Sequence, residues 1–203
     1  MKNVAVFEGA ARAFIGMLGG ITPLQWDEPG LGVWTIRSLA GHTARAISTV
    51  GEYLSEEPPE TASCPNAESY YLGLHGAAVS GDAVAARGVA AGEQLGPDSQ
   101  RTVTKSLDRT LAAIATQPGS RIVSVVGGRT IPLAEYLRTR TFELVVHTMD
   151  LSRAAGIAHA LPAEAVAEAA ALAARVAALG GNGEVLLLAL TGRLALPEGF
   201  SVV

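Results

Sequence analysis

The sequence predicts an all-α fold: a bundle of helices with one short β-hairpin and a small helical extension at the C-terminus. Two observations carry this prediction. Apolar residues recur through most of the chain at the three- to four-residue spacing of amphipathic helices, and β-branched residues concentrate in one short stretch. With 203 residues, the chain is long enough to bury a substantial core. We expect the bundle over residues 1–160 and the extension over residues 161–203.

The first two predicted helices are separated by a loop rich in proline and glycine. Apolar side chains at helical spacing predict the first helix over residues 4–18. Thr35 is a suitable N-cap for the second helix, because its side-chain oxygen can accept a hydrogen bond from a backbone N–H, and Trp34 before it can pack on Leu39. The second helix is predicted to run to about Leu54.

The middle of the chain is predicted to hold two further helical regions. Three prolines within residues 55–66 predict a loop after the second helix. The third helical region follows over residues 67–95, with an interruption near Ser80, and the fourth covers residues 97–116.

A single β-hairpin is predicted after these helices. Residues 121–126 are rich in β-branched side chains, Gly127-Gly128 forms a two-residue turn, and residues 129–131 return as the second strand. Because an isolated hairpin is marginally stable, we expect it to pack on the bundle.

A long fifth helix is predicted to begin near Leu133 and to end at Gly156, a residue type that favours helix C-termini. The extension is predicted to contain an alanine-rich helix over residues 162–179 and a short helix over residues 183–191.

The composition limits the classes of partner. The formal net charge of −4 argues against a general binder of nucleic acids or anionic membranes, and no uninterrupted apolar run is long enough to cross a bilayer. The single cysteine, Cys64, rules out an internal disulfide and fits a reducing compartment. We therefore expect a cytoplasmic protein with no nucleic-acid and no membrane partner.

The fifth helix carries a polar stripe on an otherwise apolar segment. At 100° per residue, the stripe spans roughly 80° of the helix circumference. Its members are Tyr136, Arg140, Glu143, His147 and Asp150. A helix this apolar should be largely buried, and buried carboxylates and imidazoles are costly unless they are paired or bound to a metal.

One explanation of the stripe is a metal site. Glu143 and His147 lie one helical turn apart, and His42 on the second helix is predicted to face inward as well. Two imidazoles and one carboxylate suit Zn²⁺, with Ni²⁺, Fe²⁺ or Mn²⁺ as substitutes, and three protein ligands leave a position open. Asp150 is predicted to orient an imidazole from behind.

The other explanation is a buried ion pair without metal. In it, Glu143 pairs with Arg140, while His147 and His42 are hydrogen-bonded core residues. Arg140 itself either neutralises a carboxylate or clamps the carboxylate of a substrate. Arg87 is expected to be a solvated helix residue. The residue pattern alone leaves the metal site and the ion pair open.

Two segments resemble a known family. Residues 34–42 (WTIRSLAGH) and residues 135–151 (EYLRTRTFELVVHTMDL) are similar to the ligand-bearing helices of the mycothiol-dependent maleylpyruvate isomerase N-terminal domain family, part of the wider DinB-like metal-binding bundles. The resemblance implies a DinB-like four-helix bundle whose metal ligands are His42, Glu143 and His147.

The same resemblance implies a function. In such proteins a divalent metal, usually zinc, activates mycothiol or another low-molecular-weight thiol, which indicates a thiol S-transferase or maleylpyruvate isomerase-like enzyme. Its partners would be a small-molecule electrophile or thiol and, in a homodimer, a second copy of the chain. The alternatives are a metal-dependent hydrolase, in which the open position activates water, and a non-catalytic, stress-associated protein that binds a metal or ligand.

Overall fold

The structure is mostly helical with one two-stranded sheet, which confirms the predicted fold class. The computed structural model describes residues 2–74 and 81–202. Its helices are α1 (Lys2–Leu18), α2 (Ile36–Leu54), α3 (Ala67–Leu74), α4 (Gly81–Gln94), α5 (Ser99–Ala115), α6 (Leu133–Ala155), α7 (Ala163–Ala177) and α8 (Gly183–Leu190). The strands are β1 (Ile122–Val125) and β2 (Arg129–Pro132). The interruption predicted near Ser80 lies outside the described residues.

Four long helices form the bundle around the core. Helix α1 packs on α5 and α6, and α2 packs on the same two helices. The largest fully buried side chains come mainly from these helices and include Phe7, Phe14, Leu39, Ile47, Leu107, Leu137, Leu144 and Leu151. Helix α2 begins as predicted, because the Thr35 side chain accepts a hydrogen bond from the Ser38 backbone N–H at 3.2 Å.

Helix α4 lies against α2 at very short range. A Cβ atom on Gly41 would overlap the backbone of Gly92, and a Cβ atom on Gly92 would lie 2.8 Å from the carbonyl oxygen of Arg37. Glycine at both positions therefore allows the two backbones to touch. Through this contact, α4 lies beside the part of α2 that carries His42.

The hairpin packs on the bundle and forms hydrogen bonds with the C-terminal end of α3. The turn has three residues, 126–128, because Val125 pairs with Arg129, so it is one residue longer than the predicted two-residue turn. Gly127 and Gly128 adopt positive φ values of 79° and 69°, which glycine tolerates. From β2, Arg129 donates hydrogen bonds to the carbonyl oxygens of Tyr70 (3.1 Å) and Gly73 (2.6 Å), which satisfies the C-terminal end of α3. Helix α6 follows β2 directly and ends at Gly156, where φ is 66°.

The C-terminal segment is helical, as predicted, and is only partly packed. Helix α7 contacts α1, α3 and α6, whereas α8 leaves Leu187 and Leu190 largely exposed. By length and composition, residues 163–190 could cross a membrane, but this is weak evidence because the backbone kinks at Gly181 and α7 packs on the bundle. The division of the chain at residue 160 stays a prediction.

Candidate metal centre

The structure brings the three predicted ligands together. The candidate ligand atoms of His42 on α2 and of Glu143 and His147 on α6 all lie within 4.8 Å of one another. The His147 Nε2 atom is 3.3 Å from Glu143 Oε2, close to the spacing of two ligands on one tetrahedral ion, which is about 3.4 Å for bonds of about 2.0–2.1 Å. The His42 and His147 rings meet edge to face, with their centroids 5.0 Å apart. Two imidazoles and a carboxylate at this spacing fit a divalent ion such as zinc.

Without a metal ion, the three candidate ligands shift one another's pKa values. Burial disfavours the charged form of each group, but hydrogen bonds to Asp150 and Glu143 raise the pKa of His147 to about 9. Burial also opposes ionisation of Glu143, yet the hydrogen bond from His147 and the charge of Arg140 lower the pKa of its carboxyl to about 2. Burial, reinforced by the charge of His147, lowers the pKa of His42 to about 4. At neutral pH the metal-free site therefore holds a Glu143–His147 ion pair beside a neutral His42.

Asp150 lies behind His147, where the sequence predicts it. Its Oδ2 atom is 3.1 Å from His147 Nδ1, on the side of the ring away from Glu143. A carboxylate here favours a proton on Nδ1 and leaves Nε2 for a ligand bond. Whether Asp150 and the three ligands act on a metal stays a prediction.

Tyr71 on α3 also contacts the site, although no pattern in the sequence points to it. The Tyr71 hydroxyl lies 2.9 Å from Glu143 Oε1 and 3.2 Å from the carbonyl oxygen of Thr139. Burial and the Glu143 charge raise the Tyr71 pKa well above its usual value, so the hydroxyl keeps its proton. Since charged acceptors make the stronger hydrogen bonds, that proton is donated to Glu143.

Arg140 is held close to Glu143 without forming a tight ion pair. Its Nη2 atom is 4.0 Å from Glu143 Oε1, and its Nε–H donates to Thr139 Oγ1 at 3.1 Å. The guanidinium carbon lies 4.8 Å from the ring centroid of Tyr136 and 5.9 Å from that of Tyr70. None of the described residues accepts a hydrogen bond from its Nη atoms.

A cavity of about 340 Å³ opens beside the ligand cluster. Its lining combines two of the candidate ligands, His42 and Glu143, with three arginines and three tyrosines: Arg45, Arg87, Arg140, Tyr53, Tyr70 and Tyr136. Arg45 and Arg87 form no ion pair with any residue in the described ranges. Arg87 is exposed, as predicted for a helix residue, but it also faces this cavity.

Trp34 packs against the ring of His42. Its ring stacks on His42 with centroids 4.5 Å apart, and its Nε1–H donates to the Ala85 carbonyl oxygen at 3.0 Å. A Cβ atom on Gly88 would lie only 2.7 Å from the indole, so a glycine on α4 makes room for the ring. Trp34 thus fixes one ring face of His42.

The chain is similar to proteins of known structure. Two solved structures, those of the mycothiol-dependent maleylpyruvate isomerase and of a histidine mutant of that enzyme, each match with a TM-score of 0.56 and 20% identity. The alignments cover 86% of this chain and 68% of theirs, and at this identity they show a shared fold. No curated protein matches the sequence significantly. Residues 7–152, which include all three candidate ligands, match the sequence family described as mycothiol maleylpyruvate isomerase N-terminal domain. The chain belongs to this family.

Proposed function

We propose that this protein is a zinc-dependent enzyme that uses mycothiol, or a similar low-molecular-weight thiol, to attack a small anionic electrophile, as a thiol S-transferase or a maleylpyruvate isomerase-like enzyme. One observation carries the proposal: the cluster of His42, Glu143 and His147 borders a cavity that is lined by three arginines. Family membership supports the thiol, and the charge of the cavity supports the anionic electrophile.

The ligands leave room for a fourth partner. His42, Glu143 and His147 would hold the ion, and coordination there would lower the pKa of a thiol so that it reacts as a thiolate at neutral pH. The remaining work is done by the protein's own side chains. Glu143 brings one negative charge to the cavity wall and Arg140 brings one positive charge, while Asp150 holds the ring of His147.

The arginines give the cavity its selectivity for anions. Arg140 offers Nη donors beside the ligand cluster, and Arg45 and Arg87 add two more positive charges to the lining. A guanidinium group binds a carboxylate through two parallel hydrogen bonds. Burial raises the pKa of Tyr136 to about 12, so this hydroxyl keeps its proton at neutral pH, and it is hydrogen-bonded to Thr49 Oγ1 at 3.1 Å.

The proposal also includes a cytoplasmic location, because a thiol cosubstrate must stay reduced, and the single free Cys64 fits a reducing compartment. The homodimer predicted from the sequence stays a prediction.

The test combines metal analysis with thiol-dependent turnover. Purified protein should contain near-stoichiometric zinc, and a His147→Ala variant should not. With zinc loaded, the protein should consume monochlorobimane or maleylpyruvate only when mycothiol is present. Ester hydrolysis without thiol would support the hydrolase instead, and loaded protein that turns over none of these compounds would support a binding role.

A further inference from the structure

We infer that Tyr71 is a positioning residue of the metal site: its hydroxyl holds Oε1 of Glu143 and leaves Oε2 as the oxygen that faces His147. The inference rests on the proposed function, since it concerns the geometry of the same site. Neither the family match nor the similar structures assign a role to this tyrosine.

The two oxygens of Glu143 have different surroundings. Oε1 accepts the Tyr71 hydrogen bond at 2.9 Å and lies 4.0 Å from Nη2 of Arg140. Oε2 lies 3.3 Å from Nε2 of His147, at the ligand cluster. A carboxylate can bind an ion through one oxygen or through both, and a strong hydrogen bond to one oxygen competes with binding through both. The structure therefore favours attachment through Oε2 alone, which preserves an open position for the thiol.

Tyr71 is itself held rigidly. Its ring is only 2% exposed and packs edge-on against Phe142, with centroids 5.2 Å apart, and against Tyr70 at 5.4 Å. Helix α3, which carries it, is tied down at both ends. Near the N-terminus, buried Glu68 pairs with Arg138 at 3.0 Å, and at the C-terminus Arg129 binds two backbone carbonyls.

These contacts fix the hydroxyl relative to α6. A donor that is fixed in place before the ion arrives spends no conformational entropy in orienting the ligand. Tyr71 thus links the position of α3 to the geometry of a ligand on another helix.

The experiment compares Tyr71→Phe with Tyr70→Phe. Both variants remove one tyrosine hydroxyl from α3 and keep the aromatic ring, but the Tyr70 hydroxyl makes no hydrogen bond to the residues that the structure describes. Zinc affinity is measured by competition with a chromophoric chelator, and the visible spectrum of the Co²⁺-loaded protein reports the coordination. We expect Tyr71→Phe to bind zinc ten- to a hundredfold more weakly and to change the Co²⁺ spectrum at saturation, and we expect Tyr70→Phe to match the wild type in both.

The outcomes separate this inference from the proposed function. Wild-type protein that binds no zinc overturns both. Stoichiometric zinc in the wild type, with equal affinity and an unchanged Co²⁺ spectrum in Tyr71→Phe, overturns the role of Tyr71 alone. If Tyr71→Phe does not fold, a zinc-loaded crystal structure of the wild type decides: Oε2 alone on the ion supports the inference, and both oxygens of Glu143 on the ion refute it.

Discussion

Raising the pH through 9 should destabilise the metal-free protein by removing the proton that His147 shares with two carboxylates. The imidazole lies between Glu143, at 3.3 Å, and Asp150, at 3.1 Å. These contacts raise its pKa from 6.5 to about 9 in the folded state, against the opposing effect of burial. Because the folded pKa lies above the unfolded value, the stabilisation is fully present below pH 6.5 and is lost as the pH rises through 9.

The magnitude follows from the interval between the two pKa values. At about 1.4 kcal/mol for each pKa unit, the step from 6.5 to about 9 corresponds to roughly 3 kcal/mol of unfolding free energy. The side chain of His147 is only 15% exposed, so solvent screens little of this energy. The same proton opposes metal binding, because a ligand imidazole must be neutral. At pH 7 it should weaken the apparent zinc affinity about a hundredfold relative to its limit above pH 9.

Urea unfolding in the presence of a chelator tests this at a series of pH values between 6 and 10. Lysines and tyrosines also titrate towards the upper end, so the informative quantity is the difference between the wild type and His147→Gln, which keeps a polar side chain but cannot titrate. We expect the wild type to lose about 3 kcal/mol more than the variant over this range. Equal losses in the two proteins, or an NMR titration of the His147 ring with a midpoint at or below 6.5, would refute the reasoning.

Three further predictions follow from single contacts. Replacing Asp150 with Asn removes the charge that faces Nδ1 of His147 and should weaken zinc binding ten- to a hundredfold in a chelator competition. An unchanged zinc dissociation constant would contradict the role of Asp150 in orienting His147. Gly41→Ala drives a methyl group into the backbone of α4 and should cost at least about 2 kcal/mol in urea unfolding, whereas Gly16→Ala, with nothing within 4 Å of its added Cβ, should be neutral or stabilising. Zinc should change the fluorescence of Trp34, which stacks on His42 at 4.5 Å, and a response that persists in His42→Ala would show that it arises elsewhere.

Much of the fold and the ligand cluster could be predicted because both depend on local patterns. The ends of α6 follow from the preceding hairpin and from Gly156, which adopts the positive φ expected of a helix C-cap. Glu143 and His147 must share a face because they are one turn apart, and the apolar surroundings of the stripe predict its burial. The residue pattern offers the pairing with His42 as one of two explanations, and the family resemblance favours it, because spacing cannot say which faces of two distant helices meet.

The residues of the site that the sequence did not predict depend on tertiary packing. Tyr71 lies in a short helix whose sequence pattern does not indicate that it packs near α6. The position of this helix depends on the hydrogen bonds that Arg129 of the hairpin donates to its C-terminal end. Arg87 is an ordinary exposed helix residue in sequence, and it faces the cavity only because α4 lies against α2 through paired glycines. Long-range contacts of this kind leave no trace in local periodicity.

The ion pair and the metal site, which the residue pattern alone leaves open, can be read as two states of one site. Without an ion, the positive charges of Arg140 and His147 balance the negative charges of Glu143 and Asp150. Loading a divalent cation expels the His147 proton, so two charges enter and one leaves, and the site becomes more positive by one. This additional positive charge lies beside the cavity, where Arg45 and Arg87 already favour the binding of anions. By linkage, metal loading should then tighten the binding of a thiolate or a carboxylate, and each of these anions should tighten the binding of the metal in return.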